Sequence, residues 1–340
     1  MNLFELTRAL VDIESVTNRE KNVSDFLYAH LSALTARHNG GIERIPAEPN
    51  RDNIFASWGE PLVTLSTHMD TVPPFFASSE DDEFVWGRGS CDAKGIIAAM
   101  IAAAEKLLST GTRGFGLLFV VGEERNSAGA KAAALTPRGS RFLINGEPTE
   151  NRLALGCKGA LRYEITANGK LAHSAYPELG HSAIHTLLEV LYDIRRIPLA
   201  EDPLLGRSTL NIGTISGGRA PNVIADHAEA EIMFRTVGDP SAIREAVALA
   251  VAGRAVAREV LHTPAVQLSR FEGLPTTVVA FTTDIPTFDG TWGQPFLIGP
   301  GSIHVAHTAE ERISKKELSE AVEIYARMAT QLLTAGRSTV

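Results

Sequence analysis

The sequence predicts an α/β fold interrupted by a smaller α+β module. Three observations lead there. Short apolar runs suited to buried strands alternate with stretches of helical spacing at both ends of the chain. Between about residues 158 and 270 the texture changes to longer strands and two helices. The chain has 340 residues, more than one core usually serves. The outer domain is therefore expected at 1–157 and 271–340, as a mixed sheet with helices on both faces. The inserted α+β sandwich is expected at 158–270.

The elements follow in order. Leu3 to Val11 and Val23 to Leu34 have the apolar spacing of helices. Ile54 to Trp58 and Leu62 to Thr67 read as adjacent strands, and Asp70 to Glu83 as a loop. A glycine-rich turn, Gly87 to Asp92, leads into an Ala-rich helix from Ala93 to Leu108. Phe115 to Val121 is short and wholly apolar, as a buried parallel strand should be. Asn126 to Ala134 is a small helix and Arg141 to Ile144 a further strand. In the insert, strands are expected at Leu161–Ala167, Thr209–Ile215, His227–Arg235 and Ala257–Gln267, with a helix at Ser182–Ile194. Asp239-Pro240 opens its second helix, Asp as cap and Pro in the first turn. Together these make a β-α-β-β-α-β unit. Pro295 to Ile298 is again a buried-type strand, and Ser314 to Glu317 a capping box for the last helix.

Composition excludes several classes of function. Hydrophobic residues make up 44% and charged residues 21%, as in ordinary globular proteins. A formal net charge of -8 argues against nucleic acid or an anionic membrane as partner. Two cysteines, Cys91 and Cys157, build no disulfide framework, which suits a reducing compartment. The first twenty residues lack the pattern of a signal peptide, and no apolar run approaches the ~20 residues that span a bilayer. The cytoplasm is the expected location.

The chemistry gathers where apolar runs end. In open α/β sheets, ligands sit beyond the carboxyl ends of the strands. Four such runs end in His68/Asp70, Glu123/Glu124, Glu147 and His304/His307, and Asp92 follows the glycine-rich turn. In a His-x-Asp triplet the two side chains share a face, so Asp70 can orient the His68 imidazole. So many carboxylates in one crevice would repel each other prohibitively without cations. Two imidazoles, several carboxylates and little cysteine suit zinc, with cobalt or manganese as alternatives.

These residues resemble the zinc-dependent amidohydrolases that include acetylornithine deacetylase, succinyl-diaminopimelate desuccinylase, aminoacylase and carboxypeptidase G. The matching pieces are His68-Met69-Asp70, Gly87 to Gly95, Glu123-Glu124, Gly146 to Thr149, and Ala306-His307 followed by Glu310. They run in the family's order over nearly the whole chain. The resemblance implies two divalent metal ions: His68 and Glu147 on one, Glu124 and His307 on the other, Asp92 bridging. It implies Asp70 as orienter of His68 and Glu123 as general base for a water whose pKa falls from 15.7 toward about 7. In the insert it implies a lid that forms a homodimer. There His173 stabilises the oxyanion in the partner's active site, Asn222 faces substrate, and Arg235 binds a substrate carboxylate. Gly299-Pro300-Gly301-Ser302 with Ala306-His307 is most similar to acetylornithine deacetylase, which makes Gly301 and His304 pocket residues.

Blander readings stand beside these. Asp92 could cap the Ala93 helix as well as bridge. His304 could compete with His307 as ligand, and Arg235 could be a surface charge or a salt-bridge partner. Cys91 reads as a small apolar residue, not a nucleophile. Arg88 and Lys94 hold the loop, and His181, His185, His227 and His262 are structural. The expected activity is hydrolysis of the amide bond of an N-acyl amino acid, acetylornithine or an acyl-lysine relative. The alternatives are a dipeptidase, a carboxypeptidase or succinyl-diaminopimelate desuccinylase on the same metals, and a silent binding homologue.

Overall fold

The structure is a computed structural model that describes residues 1–337. The chain divides into two compact units. Among the described residues, the first comprises 1–155, 268–277 and 283–337, and the second 156–267 and 278–282. The return of residues 278–282 to the second unit was not foreseen from sequence.

The first unit is built on a mixed sheet. Its strands run in the spatial order Gly41–Glu48, Arg51–Trp58, Phe115–Val120, Val63–His68, Phe142–Asn145, Gln294–Leu297 and Leu153–Cys157. The central four, from Phe115–Val120 to Gln294–Leu297, are parallel. They are the short apolar runs of the sequence, and Val63–His68 and Phe115–Val120 are buried along their whole length. All four therefore end on the same edge, and their following loops hold the residues of interest.

Helices cover this sheet. Leu3–Val11, Lys94–Ser109 and Lys315–Arg337 pack on one another. Gly146 sits where they meet strands: a Cβ there would lie 2.6 Å from Met100 Cε and 3.2 Å from the Tyr325 hydroxyl. A second apolar cluster joins Phe55, Leu118, Val120 and Leu143 of the strands to Ala130, Ala133, Phe288 and Trp292. No helix of the described residues is long and apolar enough to cross a membrane.

The second unit is a four-stranded antiparallel sheet in the order Thr209–Gly217, His227–Thr236, Gly159–Asn168, Val256–Thr263. Burial alternates along Gly159–Asn168 and His227–Thr236, as one covered and one open face require. The buried set, including Leu161, Ile165, Ile232 and Phe234, meets Leu187, Val190 and Ile194 of the helix Ala183–Ile194 and Ile243 and Val247 of Ser241–Val251.

Several expectations need correction. The strand Gly41–Glu48 reads poorly from sequence because Glu43, Arg44, Pro46 and Glu48 interrupt its apolar character; at a sheet edge those residues are tolerated. The strand expected at Ala257–Gln267 is two pieces, Val256–Thr263 and Val266–Gln267, and the second pairs with Gly156 and Cys157 instead. Pro240, not Asp239, holds the cap position of Ser241–Val251, while Asp239 accepts the Ser241 N–H. The last capping box is one-sided. Ser314 Oγ accepts the Glu317 N–H at 3.3 Å, but the Glu317 carboxylate accepts the Gly301 N–H at 2.7 Å. Asp92 caps no helix: the cap residue of Lys94–Ser109 is Ala93, without a side-chain bond.

Candidate metal centre and active site

Asp92 is the centre of the group. It is buried, and its two oxygens meet different imidazoles. Oδ1 lies 2.9 Å from His68 Nε2 and Oδ2 lies 3.3 Å from His307 Nε2. Burial pushes its carboxyl up, but the two imidazoles outweigh burial and hold it below the usual range. His307 Nε2 is also 3.0 Å from Glu124. Ligand atoms of His68, Asp92 and Glu124 all lie within 4.8 Å of one another.

His68 closes its strand, and its ring is fixed from behind. Nδ1 meets the Asp70 carbonyl at 3.0 Å and the Asp70 carboxylate at 3.6 Å. The orienting contact thus begins with the backbone, because the strand ends at His68 and Asp70 lies past its pleat. The Asp70 carboxylate does more than the triplet suggested. It accepts the Glu123 N–H at 3.0 Å, the Glu124 N–H at 3.3 Å and the Thr17 hydroxyl at 2.8 Å. Asp70 therefore couples the His68 strand end to the Glu123-Glu124 turn. Burial lowers the His68 imidazolium pKa, but Asp70 and Asp92 overcome it and raise the pKa well above its ordinary value.

The glutamates respond in the other direction. Burial and neighbouring carboxylates push Glu123, Glu124 and Glu147 above the ordinary value; for Glu123 the largest charge contribution comes from Glu147. Glu147 is 4% exposed, and its Oε1 is buried without a hydrogen-bond partner. An orphaned buried carboxylate oxygen costs several kcal/mol unless something positive meets it. Divalent cations fit this donor set of two imidazoles and three carboxylates.

His307 reaches the group from a loop in which it takes the left-handed backbone conformation, φ +64°. His304, three residues earlier, is exposed and lies outside the group. Gly301 is buried at φ +86°, with its N–H given to Glu317 and its carbonyl accepting the Glu150 N–H. Its added Cβ would lie 2.5 Å from Cys91 Sγ, so glycine is required there for packing. Glu310, the acid first matched to the family pattern, is exposed; its neighbour Glu311 is buried against the Asp92 turn. Burial and the nearby Asp92 charge also hold the Cys91 thiol up, as expected of an inert side chain.

The second unit holds the remaining three residues. His173 and Asn222 come together: their segments form a bridge at His173 and Val223, and Ser174 N–H donates to the Asn222 carbonyl at 3.0 Å. His173 is exposed, with Nδ1 accepting the Ala175 N–H at 3.1 Å. Arg235 stands at the other end of the strand that starts at His227, opposite Ala160. No ion pair or hydrogen bond of its side chain occurs among the described residues, and burial lowers its pKa.

The family model for peptidase family M20/M25/M40 matches residues 64–331. A Schizosaccharomyces pombe protein described as M20 peptidase domain-containing is 40% identical over 339 residues, covering 96% of this chain and 84% of that one. An Aspergillus terreus protein named as a carboxypeptidase is 36% identical over 368 residues, covering 94% and 84%. Among solved structures, an aminopeptidase of Bacillus cereus superposes with a TM-score of 0.78 at 19% identity, over 98% of each chain. A Bacillus subtilis M20 peptidase described as dinuclear and metal-binding gives 0.67 at 17% identity, again over 98% of each. These two likenesses show a shared fold. The fold and sequence together define a hydrolase of the metallopeptidase class. The chain belongs to peptidase family M20/M25/M40.

Proposed function

We propose that this protein hydrolyses the amide bond next to a free carboxylate, in a short peptide or an N-acyl amino acid. One observation bears most of the weight: the Asp92 carboxylate lies between His68 and His307 with Glu124 beside it. In this reading His68 and Glu147 would hold one divalent ion, Glu124 and His307 would hold the other, and Asp92 would serve both. Zinc fits the donors best, with cobalt and manganese next. When bound, such ions polarise a carbonyl and lower the pKa of water.

The chain's own residues supply the rest. Glu123 is held by Asp70 through its N–H, and its raised pKa suits a group that takes a proton from water and returns it to the leaving amine. Asp70 keeps the His68 ring and the Glu123-Glu124 turn in register. Arg235, half-buried and without a side-chain partner among the described residues, offers a guanidinium fork to the substrate carboxylate. His173 and Asn222 supply directed donors to the oxyanion and substrate.

The fungal relatives named as carboxypeptidases favour a peptide-like substrate. The likeness of Gly299–Ser302 and Ala306-His307 to acetylornithine deacetylase favours deacylation of a small acyl-amino acid as the second reading. We further propose a homodimer. His173 and Asn222 lie on loops beyond the His227 end of the strand that carries Arg235, and His227 to Arg235 alone is about 26 Å of extended chain, which favours their serving different substrate molecules. The edge strand Thr209–Gly217 is open, and Leu188, Tyr192 and Ile215 are 51%, 58% and 55% exposed.

Metal analysis of the purified protein followed by a substrate panel tests the proposal. N-terminally blocked dipeptides and N-acetyl amino acids should be cleaved, and their C-terminal amides should not. Indifference to a blocked carboxylate would rule out the proposed substrate class.

A further inference from the structure

The turn that bears Asp92 is wrapped around one buried side chain. Glu311 is 1% exposed. Its Oε1 accepts three backbone N–H groups of that turn: Gly89 at 2.9 Å, Asp92 at 3.1 Å and Cys91 at 3.3 Å. Gly89 adopts φ +87°, and successive N–H groups around such a residue form a concave anion site. Here the anion is internal. The Glu311 carbonyl accepts the Gly87 N–H at 3.1 Å, so the turn is gripped at both ends. The second carboxylate oxygen pairs with Arg88, itself 2% exposed and anchored by its Nε on the Pro74 carbonyl at 3.2 Å.

Glu311 also lies four residues after His307, on the same loop. It is therefore a direct, buried link between two ligand-bearing segments, joining residues 219 positions apart in sequence. His68 and Glu147 are placed without it, by the ends of parallel strands. We propose that Glu311 is a positioning residue that sets the spacing between Asp92 and His307, and so forms the Glu124–His307 end of the metal centre. This rests on the metal reading of the site. A purely structural Glu311, serving only to neutralise Arg88, would affect stability and leave the two ends of the centre equal.

The experiment is titration of demetallated protein with Zn2+, following heat and stoichiometry. Wild type should take up two ions per chain, and His307→Ala and His68→Ala should each lose a different step. Glu311→Gln should weaken the step lost in His307→Ala by about 10–100-fold, the usual effect of a group that orients a ligand, and leave the other step within about threefold. Circular dichroism checks folding. If Arg88, left unpaired, unfolds Glu311→Gln, the pair R88M/E311Q removes the buried cation and should show the same selective loss. Two unchanged steps, or equal weakening of both, overturn the role assigned to Glu311. A wild type that binds no Zn2+ overturns the metal reading and this inference with it.

Discussion

The candidate residues of the two units are held in opposite ways. In the first unit the metal-ligand candidates and Glu123 are buried or cross-linked: His68 by Asp70, Asp92 by Glu311, the Glu123-Glu124 turn by Asp70, and His307 by Glu124; exposed His304 stands apart. In the second, His173 and Asn222 are exposed on a loop, and the Arg235 side chain has no ion pair or hydrogen bond among the described residues. Holding cations demands ligand atoms fixed within tenths of an ångström, which only a supported shell can give. Recognising varied substrates demands donors that await a partner from outside. The contrast separates chemistry from recognition, and each half of it can be attacked experimentally.

The largest effect should come from removing what the first unit is built to hold. Treatment with a chelator should reduce turnover to background, and added zinc should restore it. Persistence of full activity after demonstrated metal loss would remove the basis of the contrast. Next is Glu123→Gln, which keeps size but cannot take a proton. kcat should fall about 10²–10⁴-fold while the metal content stays at the wild-type level. A variant that retained turnover would move the base elsewhere.

On the recognition side the expected loss is smaller and falls on a different constant. Arg235→Ala should raise KM for substrates with a free carboxylate by about 10–100-fold, the usual range for a charged hydrogen bond, with kcat little changed. Arg235→Lys should recover part of this, since an ammonium keeps the charge but not the fork. A kcat effect without a KM effect would place Arg235 in the chemistry and blur the division.

How much of this was legible beforehand divides along similar lines. The placement of residues at the ends of apolar strands was visible: His68 closes Val63–His68, Glu123 and Glu124 follow Phe115–Val120, and Glu147 follows Phe142–Asn145. The two α/β segments and the interrupting module were visible from periodicity. Supports that act through backbone N–H groups were not. Nothing in Glu310-Glu311 says which of two adjacent acids turns inward; burial and three N–H bonds decide for Glu311. The grip of Asp70 on Glu123 and Glu124 is equally silent, because it joins residues 53 and 54 positions away. The strand Gly41–Glu48 was hidden for a different reason: an edge strand needs little apolar character.

The smallest expected effect concerns stability, and again the units differ in sign. In the first unit the shifted glutamates at the centre are raised by burial. In the second, Glu259 is lowered, chiefly by its hydrogen bond to Arg244 and also by the Tyr163 hydroxyl, 3.0 Å away. A lowered carboxylate stabilises the fold above its unfolded pKa of about 4.3, and that contribution is lost as pH falls through its lower folded value. Glu259→Gln should therefore cost stability at pH 7 and progressively less at acid pH, as the carboxylate of the wild type is protonated. Because the pair lies at the surface, the difference should be at most about 1 kcal/mol and should shrink further in high salt. Acid unfolding of the two proteins, followed by circular dichroism at low and high ionic strength, reads it directly. Equal destabilisation at pH 7 and at acid pH would mean that Glu259 contributes by packing, not by charge.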